Sequence, residues 1–161
     1  MPEPTAGIAA FLRAGTNPDP LAEVLVVPQW QAADWNSLLS NARRLELKKG
    51  DVLIRKDASE RALYLVAWGM LEVTSLLSSH SMGLIAKVQP GSVVGEMAFL
   101  DGRPRSAKVW AVADSEVYEL NFENYERFAD AHPRQACHLL FAIGRIVALR
   151  LRRSQTHGLR Q

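Results

Sequence analysis

The spacing of apolar residues switches from a helical period to a strand period and back again along the chain. From Leu45 onward the apolar stretches are short, and Leu45 and Leu47 alternate with polar neighbours. Residues 62–77 predict two strands separated by Gly69, and the polar residues 78–81 predict a hairpin loop. Further strands are expected at residues 52–54, 84–88, 107–112 and 116–120. Closely spaced short strands of this kind are typical of an antiparallel sandwich or roll.

Helical spacing precedes the strands. Residues 5–42 carry helix signals, with Thr5 as the expected cap of the first helix and Asn17-Pro-Asp-Pro20 as a break. Within residues 31–41, apolar side chains recur at helical spacing at Trp35, Leu38 and Leu39. Tryptophans in such a pattern belong more often to a core than to a ligand platform.

Helical spacing returns after the last strand. Asn121 is expected to cap a helix that ends at Ala131, and Pro133 suits the first turn of a longer helix ending near Arg153. Apolar residues recur along that helix at Leu139, Ile143, Ile146 and Leu149 or Arg150. This stripe must face either the roll or a second copy of the same helix.

The length and composition predict a single soluble domain. Its 161 residues are 48% hydrophobic and 22% charged, with a formal net charge of +2, which by itself does not imply nucleic acid. The organisation we expect within this one domain is a helical segment at 1–44, a β-roll at 45–121, C-terminal helices at 122–153 and a basic tail at 154–161.

Several functions are disfavoured by what the sequence contains. A single cysteine, Cys137, excludes an internal disulfide, and its apolar neighbours suggest a small buried residue in a reducing compartment. The N-terminus does not resemble a signal peptide and no apolar run is long enough to span a membrane, so we expect a cytoplasmic protein. No serine or cysteine lies in the sequence pattern of a catalytic nucleophile, so we expect no enzyme. The histidines do not have the spacing of metal ligands, so we expect no metal either; they are His80, His132, His138 and His157.

The stretch GEMAFLDGRPRSA, residues 95–107, carries the candidate chemistry. It has room for one helical turn beginning at Glu96, and the first amides of such a turn favour an anion. Gly95 allows close backbone approach, and Arg105 offers a charged fork suited to phosphate oxygens. Glu96 suits a hydroxyl donor on the same ligand, such as a ribose. The alternatives are that Glu96 and Arg105 pair with each other, or that the loop is merely solvated.

A resemblance to a known family extends this interpretation. The segment PGSVVGEMAFLDGRPRSAKVWA resembles the phosphate-binding cassette of cyclic-nucleotide-binding domains, the family of the catabolite activator protein and of protein kinase A regulatory subunits. The stretches LELKKGDVLIRK, ALYLVAWGMLEV and LIAKVQPG are similar to the strand blocks of that family, in the same order. The resemblance implies a mainly β fold, an eight-stranded antiparallel jelly roll with N-terminal helices, a cassette helix within residues 90–107 and two C-terminal helices.

The resemblance also implies the roles of individual residues. Glu96 falls on the acceptor of the ribose 2′-hydroxyl, and Arg105 on the arginine that binds the cyclic phosphate. The remaining expected ligand-binding residues are Gly95, Met97, Ala98, Ser106 and Ala107, and the candidates for a lid over the base are Val147, Arg150 and Leu151.

Two positions depart from the family pattern, and a third bears on the choice of base. Val94 stands where an aromatic residue often precedes the Gly-Glu pair, and Asp57 stands at a turn where glycine is common. Aspartate tolerates the left-handed conformation, so we expect that turn to survive. Ser106 favours cAMP over cGMP, because members that prefer cGMP often carry threonine after the arginine.

The expected function is that of a cyclic-nucleotide-binding regulatory module in which the ligand, cAMP or cGMP, repositions helices 122–153 and signals to an unknown effector protein. A homodimer through the 133–153 helix is the expected assembly, without membrane contact. One alternative is an interaction module with an unused cassette. Another is a regulator fragment that acts on DNA through the basic C-terminus, which we disfavour because residues 154–161 are too few for a helix-turn-helix.

Overall fold

Two four-stranded antiparallel sheets form the centre of the protein in a computed structural model, which describes residues 6–78 and 81–158. One sheet has the order β1-β8-β3-β6 and the other β2-β7-β4-β5. The strands are β1 Arg43–Leu47, β2 Val52–Ile54, β3 Ala62–Trp68, β4 Leu71–Ser78, β5 Ser81–Val88, β6 Val93–Val94, β7 Lys108–Ala111 and β8 Ser115–Asn121. The helices are α1 Ala6–Gly15, α2 Ala32–Leu39, α3 Glu96–Asp101, α4 Phe122–Ala131 and α5 Pro133–Gly158. The predicted jelly roll with flanking helices is therefore confirmed.

Strand β3 lies at the centre of the fold because both of its faces are covered. Leu63, Leu65 and Ala67 belong to the core under the helices, while Tyr64 and Val66 belong to the core between the two sheets. Because side chains alternate across a strand, a strand buried on both faces must be almost entirely apolar. This requirement explains the sequence ALYLVAW, which does not alternate.

The apolar stripe of α5 faces the roll. Leu139, Ile143 and Ile146 are fully buried in the core that the helices form against the first sheet. Of the two partners that the sequence left open for this stripe, the roll is the one observed.

The sequence predicted the start of α4 correctly but not the end of α5. Asn121 caps α4 as expected, since its side-chain oxygen accepts a hydrogen bond from the Asn124 amide at 2.8 Å. The expected end of α5 near Arg153 is wrong, because the helix continues to Gly158. No glycine or proline interrupts residues 154–157, and the hydroxyls of Ser154 and Thr156 donate back to carbonyls of the preceding turn.

The environment of Cys137 was predicted wrongly. The expectation of a buried residue rested on apolar sequence neighbours, whereas Cys137 is exposed. Two residues span about 200° of an α-helix, so Cys137 lies on the face opposite the buried Leu139. Chain neighbours on a helix are not spatial neighbours.

Smaller differences concern the connections. Strand β1 begins at Arg43 rather than Leu45, and β5 begins at Ser81 rather than Leu84. Thr5 and residues 79–80 lie outside the described residues. Asp57 adopts the expected left-handed conformation, with a φ angle of 67°.

Candidate functional site

Strand β6, helix α3 and the loop that leads into β7 border a cavity of about 590 Å³. A cavity of this size is typical of small-molecule sites. Its wall is mainly apolar on the side of the second sheet, and the polar groups come from the cassette and from the C-terminal half of α5. The lining residues are Ile54, Val73, Ile85, Ala86, Val94, Gly95, Glu96, Met97, Ala98, Arg105, Ser106, Ala107, Val109, Arg150, Arg153 and Ser154.

Arg105 is a buried cation at the floor of this cavity. It is only 3% exposed, and its guanidinium donates to the carbonyl oxygens of Gly95 at 3.0 Å and Ala62 at 2.8 Å. Its Nε has no hydrogen-bond partner, and no carboxylate among the described residues forms an ion pair with it. Because a buried charge without a counter-ion is costly, this geometry favours an anion in the cavity.

Tyr64 lies beneath Arg105 without neutralising it. The Arg105 guanidinium carbon is 5.7 Å from the centre of the Tyr64 ring. The Tyr64 hydroxyl donates to Glu119 Oε2 at 3.1 Å, and burial together with that carboxylate raises the pKa of Tyr64 to about 12. The tyrosine is therefore uncharged at neutral pH, and the positive charge remains available to a ligand.

Gly95 is required by the position of Arg105. Its φ angle is 81°, a left-handed conformation that side chains rarely adopt, and it immediately precedes α3. A Cβ atom at this position would lie 2.7 Å from Arg105 Nη1 and 3.0 Å from the carbonyl oxygen of Ala62. The glycine thus lets the backbone approach the guanidinium closely.

Glu96 does not pair with Arg105. Its Oε1 lies 3.0 Å from Nη1 of Arg150 on α5, and among the described residues Oε2 has no hydrogen-bond partner. The pairing of Glu96 with Arg105, one of the alternatives left open by the sequence, is therefore not observed. A carboxylate with one oxygen committed to a cation and the other unused can still accept a hydrogen bond from a hydroxyl.

The other cassette residues line the same cavity. Ala98 and Ala107 are buried, and Met97 is exposed at the rim. The Ser106 hydroxyl is exposed and lies 3.8 Å from the Met97 sulfur. All seven cassette residues expected from the sequence are thus brought together.

The lid candidates on α5 are placed differently from one another. Arg150 lines the cavity, whereas Val147 packs against the helical core and Leu151 is exposed outside the lining. Sequence reasoning missed Arg153 and Ser154, which also line the cavity. Their spacing of three and four residues from Arg150 places them on the same helix face, and this spacing was the available signal.

Among residues 6–78 and 81–158, no helix is long and apolar enough to cross a membrane. In the same residues no group of three or more His, Cys, Asp or Glu side chains is arranged to hold a metal ion.

Comparison with known proteins agrees with this geometry. Residues 44–132, more than half of the chain, match the model of the cyclic nucleotide-binding domain. The chain belongs to that family. A solved cyclic nucleotide-binding domain from Methylobacillus flagellatus superposes with a TM-score of 0.79 at 20% identity, over 94% of this chain and 82% of that one.

Two relatives from Dictyostelium discoideum are named for different cyclic nucleotides. Cyclic GMP-binding protein C is 25% identical over 74% of this chain and 4% of its own length. The cAMP-dependent protein kinase regulatory subunit is 30% identical over 50% of this chain and 24% of its own length. The chain therefore spans a quarter or less of these relatives. It is a cyclic nucleotide-binding regulatory domain, and the relatives do not decide the base.

Proposed function

We propose that this chain binds a cyclic mononucleotide, with cAMP preferred to cGMP, and that binding repositions α4 and α5 to signal to a partner protein. In this proposal the chain acts by binding and does not catalyse a reaction. The observation that carries it is Arg105, a buried cation with an unpartnered Nε at the floor of a cavity and no carboxylate counter-ion in the described part of the chain. A cyclic phosphate would supply the missing charge and acceptor oxygens.

Glu96 supports a nucleotide over a simple anion. Its carboxylate lines the same cavity as Arg105, where it would repel a small anion but accept a hydrogen bond from a ribose hydroxyl. A ligand with one negative charge and a neighbouring hydroxyl satisfies both residues.

The preference for cAMP rests on Ser106. By the family resemblance, threonine after the arginine accompanies cGMP binding, and this chain carries serine there. The exposed Ser106 hydroxyl lines the cavity next to Met97.

In this proposal, aromatic contacts transmit a movement of α3 to α4. Phe99 of α3 makes edge contacts with Phe122 and Tyr125 of α4, at centroid distances of 5.6 and 5.4 Å. Arg61 donates to the carbonyl oxygens of Phe99 and Leu100, and its guanidinium lies 3.5 Å from the centre of the Phe122 ring. A shift of α3 on ligand binding would therefore act directly on the start of α4.

Removal of the Arg105 side chain tests the proposal. Arg105→Ala should weaken cAMP binding by roughly 2–5 kcal/mol, because a desolvated phosphate loses its charged donor. Arg103→Ala is the matched control, since it removes the same charge from the same loop at an exposed position and should change the affinity little.

Both variants are compared by equilibrium titration, after circular dichroism has established that they are folded. Equal affinity of Arg105→Ala and the unmodified chain for cAMP would contradict the proposed phosphate contact. An unmodified chain that binds neither cAMP nor cGMP would instead favour the interaction module with an unused cassette.

A further inference from the structure

Glu23 lies in the segment between α1 and α2, far in sequence from the cassette, and binds two arginines of α5. Its Oε1 accepts from Arg150 Nε at 3.0 Å, and its Oε2 accepts from Arg153 Nη1 at 2.8 Å. Both arginines line the cavity. Glu23 is thus a neighbour of the site through α5.

Arg150 joins Glu23 to Glu96. While its Nε is bound to Glu23, its Nη1 lies 3.0 Å from Glu96 Oε1 and its Nη2 donates to the Val93 carbonyl oxygen at 2.8 Å. The planar guanidinium is therefore held from three directions, and it presents one nitrogen, rather than a two-pronged face, to Glu96.

We propose that Glu23 is a positioning residue for nucleotide binding, which acts through Arg150 to keep one oxygen of Glu96 available for the ribose 2′-hydroxyl. This inference rests on the proposed function, in which Glu96 accepts that hydroxyl. An arginine without a second carboxylate tends to bind a single carboxylate through two parallel hydrogen bonds. If Glu23 lost its charge, Arg150 would turn toward Glu96 and compete with the ribose for both oxygens.

The backbone around Glu23 is held independently of its carboxylate. The Ser92 hydroxyl donates to the Glu23 carbonyl oxygen, and the Leu25 amide donates to the Gly91 carbonyl oxygen at 2.8 Å. Arg145 of α5 donates to the carbonyl oxygens of Pro20 and Ala22, each at 2.8 Å. A change of the Glu23 side chain therefore leaves the segment anchored.

The test compares the full chain with Glu23→Gln, using cAMP and 2′-deoxy-cAMP as probes. The substitution keeps the shape of the side chain and removes its charge. We expect the affinity for cAMP to fall roughly tenfold and that for 2′-deoxy-cAMP to change little, because only the former uses the Glu96 oxygen. The ratio of the two affinities is the decisive readout, since a general change in cavity charge acts on the phosphate of both probes alike.

Asp19→Asn is the matched control. Asp19 is exposed in the same segment, and its Oδ1 accepts only the nearby Leu21 amide among the described residues. This variant loses the same charge without touching Arg150, so the affinity ratio should match that of the unmodified chain.

The outcomes separate the inference from the function on which it rests. An unchanged ratio in Glu23→Gln, or an equal loss of affinity for both probes, would overturn the positioning role while leaving cAMP binding intact. An unmodified chain that binds neither probe, or that binds both equally, would instead overturn the proposed function or its ribose contact, and the inference with it.

Discussion

At the scale of residues, the site depends on the close contact between the Arg105 guanidinium and the backbone of Gly95. A Cβ at Gly95 would lie 2.7 Å from Arg105 Nη1, closer than side-chain atoms normally approach, so the position of Arg105 requires glycine at 95. The sequence revealed both residues but not their contact, because they lie ten positions apart and are brought together by α3 and its following loop. Burial of the guanidinium, and hence its need for an anion, follows from that contact.

A pair of glycines allows this contact to be tested. Gly95 and Gly102 flank α3, and both have left-handed φ angles, 81° and 70°. Alanine at either position should cost of order 1–3 kcal/mol of stability through backbone strain. Only Gly95→Ala would also collide with Arg105, because the nearest atom to a Cβ at Gly102 lies 3.6 Å away, an ordinary contact.

We therefore expect both variants to melt at lower temperature, with the loss of cAMP affinity confined to Gly95→Ala. Thermal unfolding and equilibrium titration of the two variants provide the comparison. Equal affinity losses would mean that the cassette backbone, rather than the position of Arg105, controls binding.

At the scale of elements, α5 has two apolar faces and the roll covers only one. The second face is exposed, and its residues recur along the helix at alternating intervals of four and three. They are Cys137, Phe141, Gly144, Ala148 and Leu151. Phe141 is 85% exposed and Leu151 57% exposed. A Cβ at Gly144 would meet no atom of the described residues within 4 Å, so no contact among them requires that glycine, whereas a helix packed against it could approach closely.

We propose that a second copy of the chain covers this face, since a heptad seam is complementary to itself. Phe141→Ser should then shift the mass measured by light scattering from dimer toward monomer. Leu21→Ser, which removes another apolar side chain that is 73% exposed but lies outside α5, should leave the mass unchanged. A monomeric unmodified chain at micromolar concentration would contradict the dimer.

At the scale of the whole molecule, local patterns predicted the fold well and long-range contacts poorly. The apolar periods predicted the strands other than the two-residue β6 and the stripe of α5, and the cap signal at Asn121 predicted the start of α4, because each depends on residues close in sequence. The contacts of Glu23 with α5 could not be predicted in this way, since they join positions 127 and 130 residues apart. The wrong expectation for Cys137 has the same origin, because burial depends on the face of the helix and not on adjacent residues.

The central claim is that the folded chain binds a cyclic nucleotide in the cavity above Arg105, and calorimetric titration of the unmodified chain tests it most directly. We predict a saturable heat with one nucleotide per chain, and tighter binding of cAMP than of cGMP. Tighter binding of cGMP would refute the base preference inferred from Ser106. The absence of heat with both nucleotides, at two temperatures and at ligand concentrations up to millimolar, would contradict the account itself.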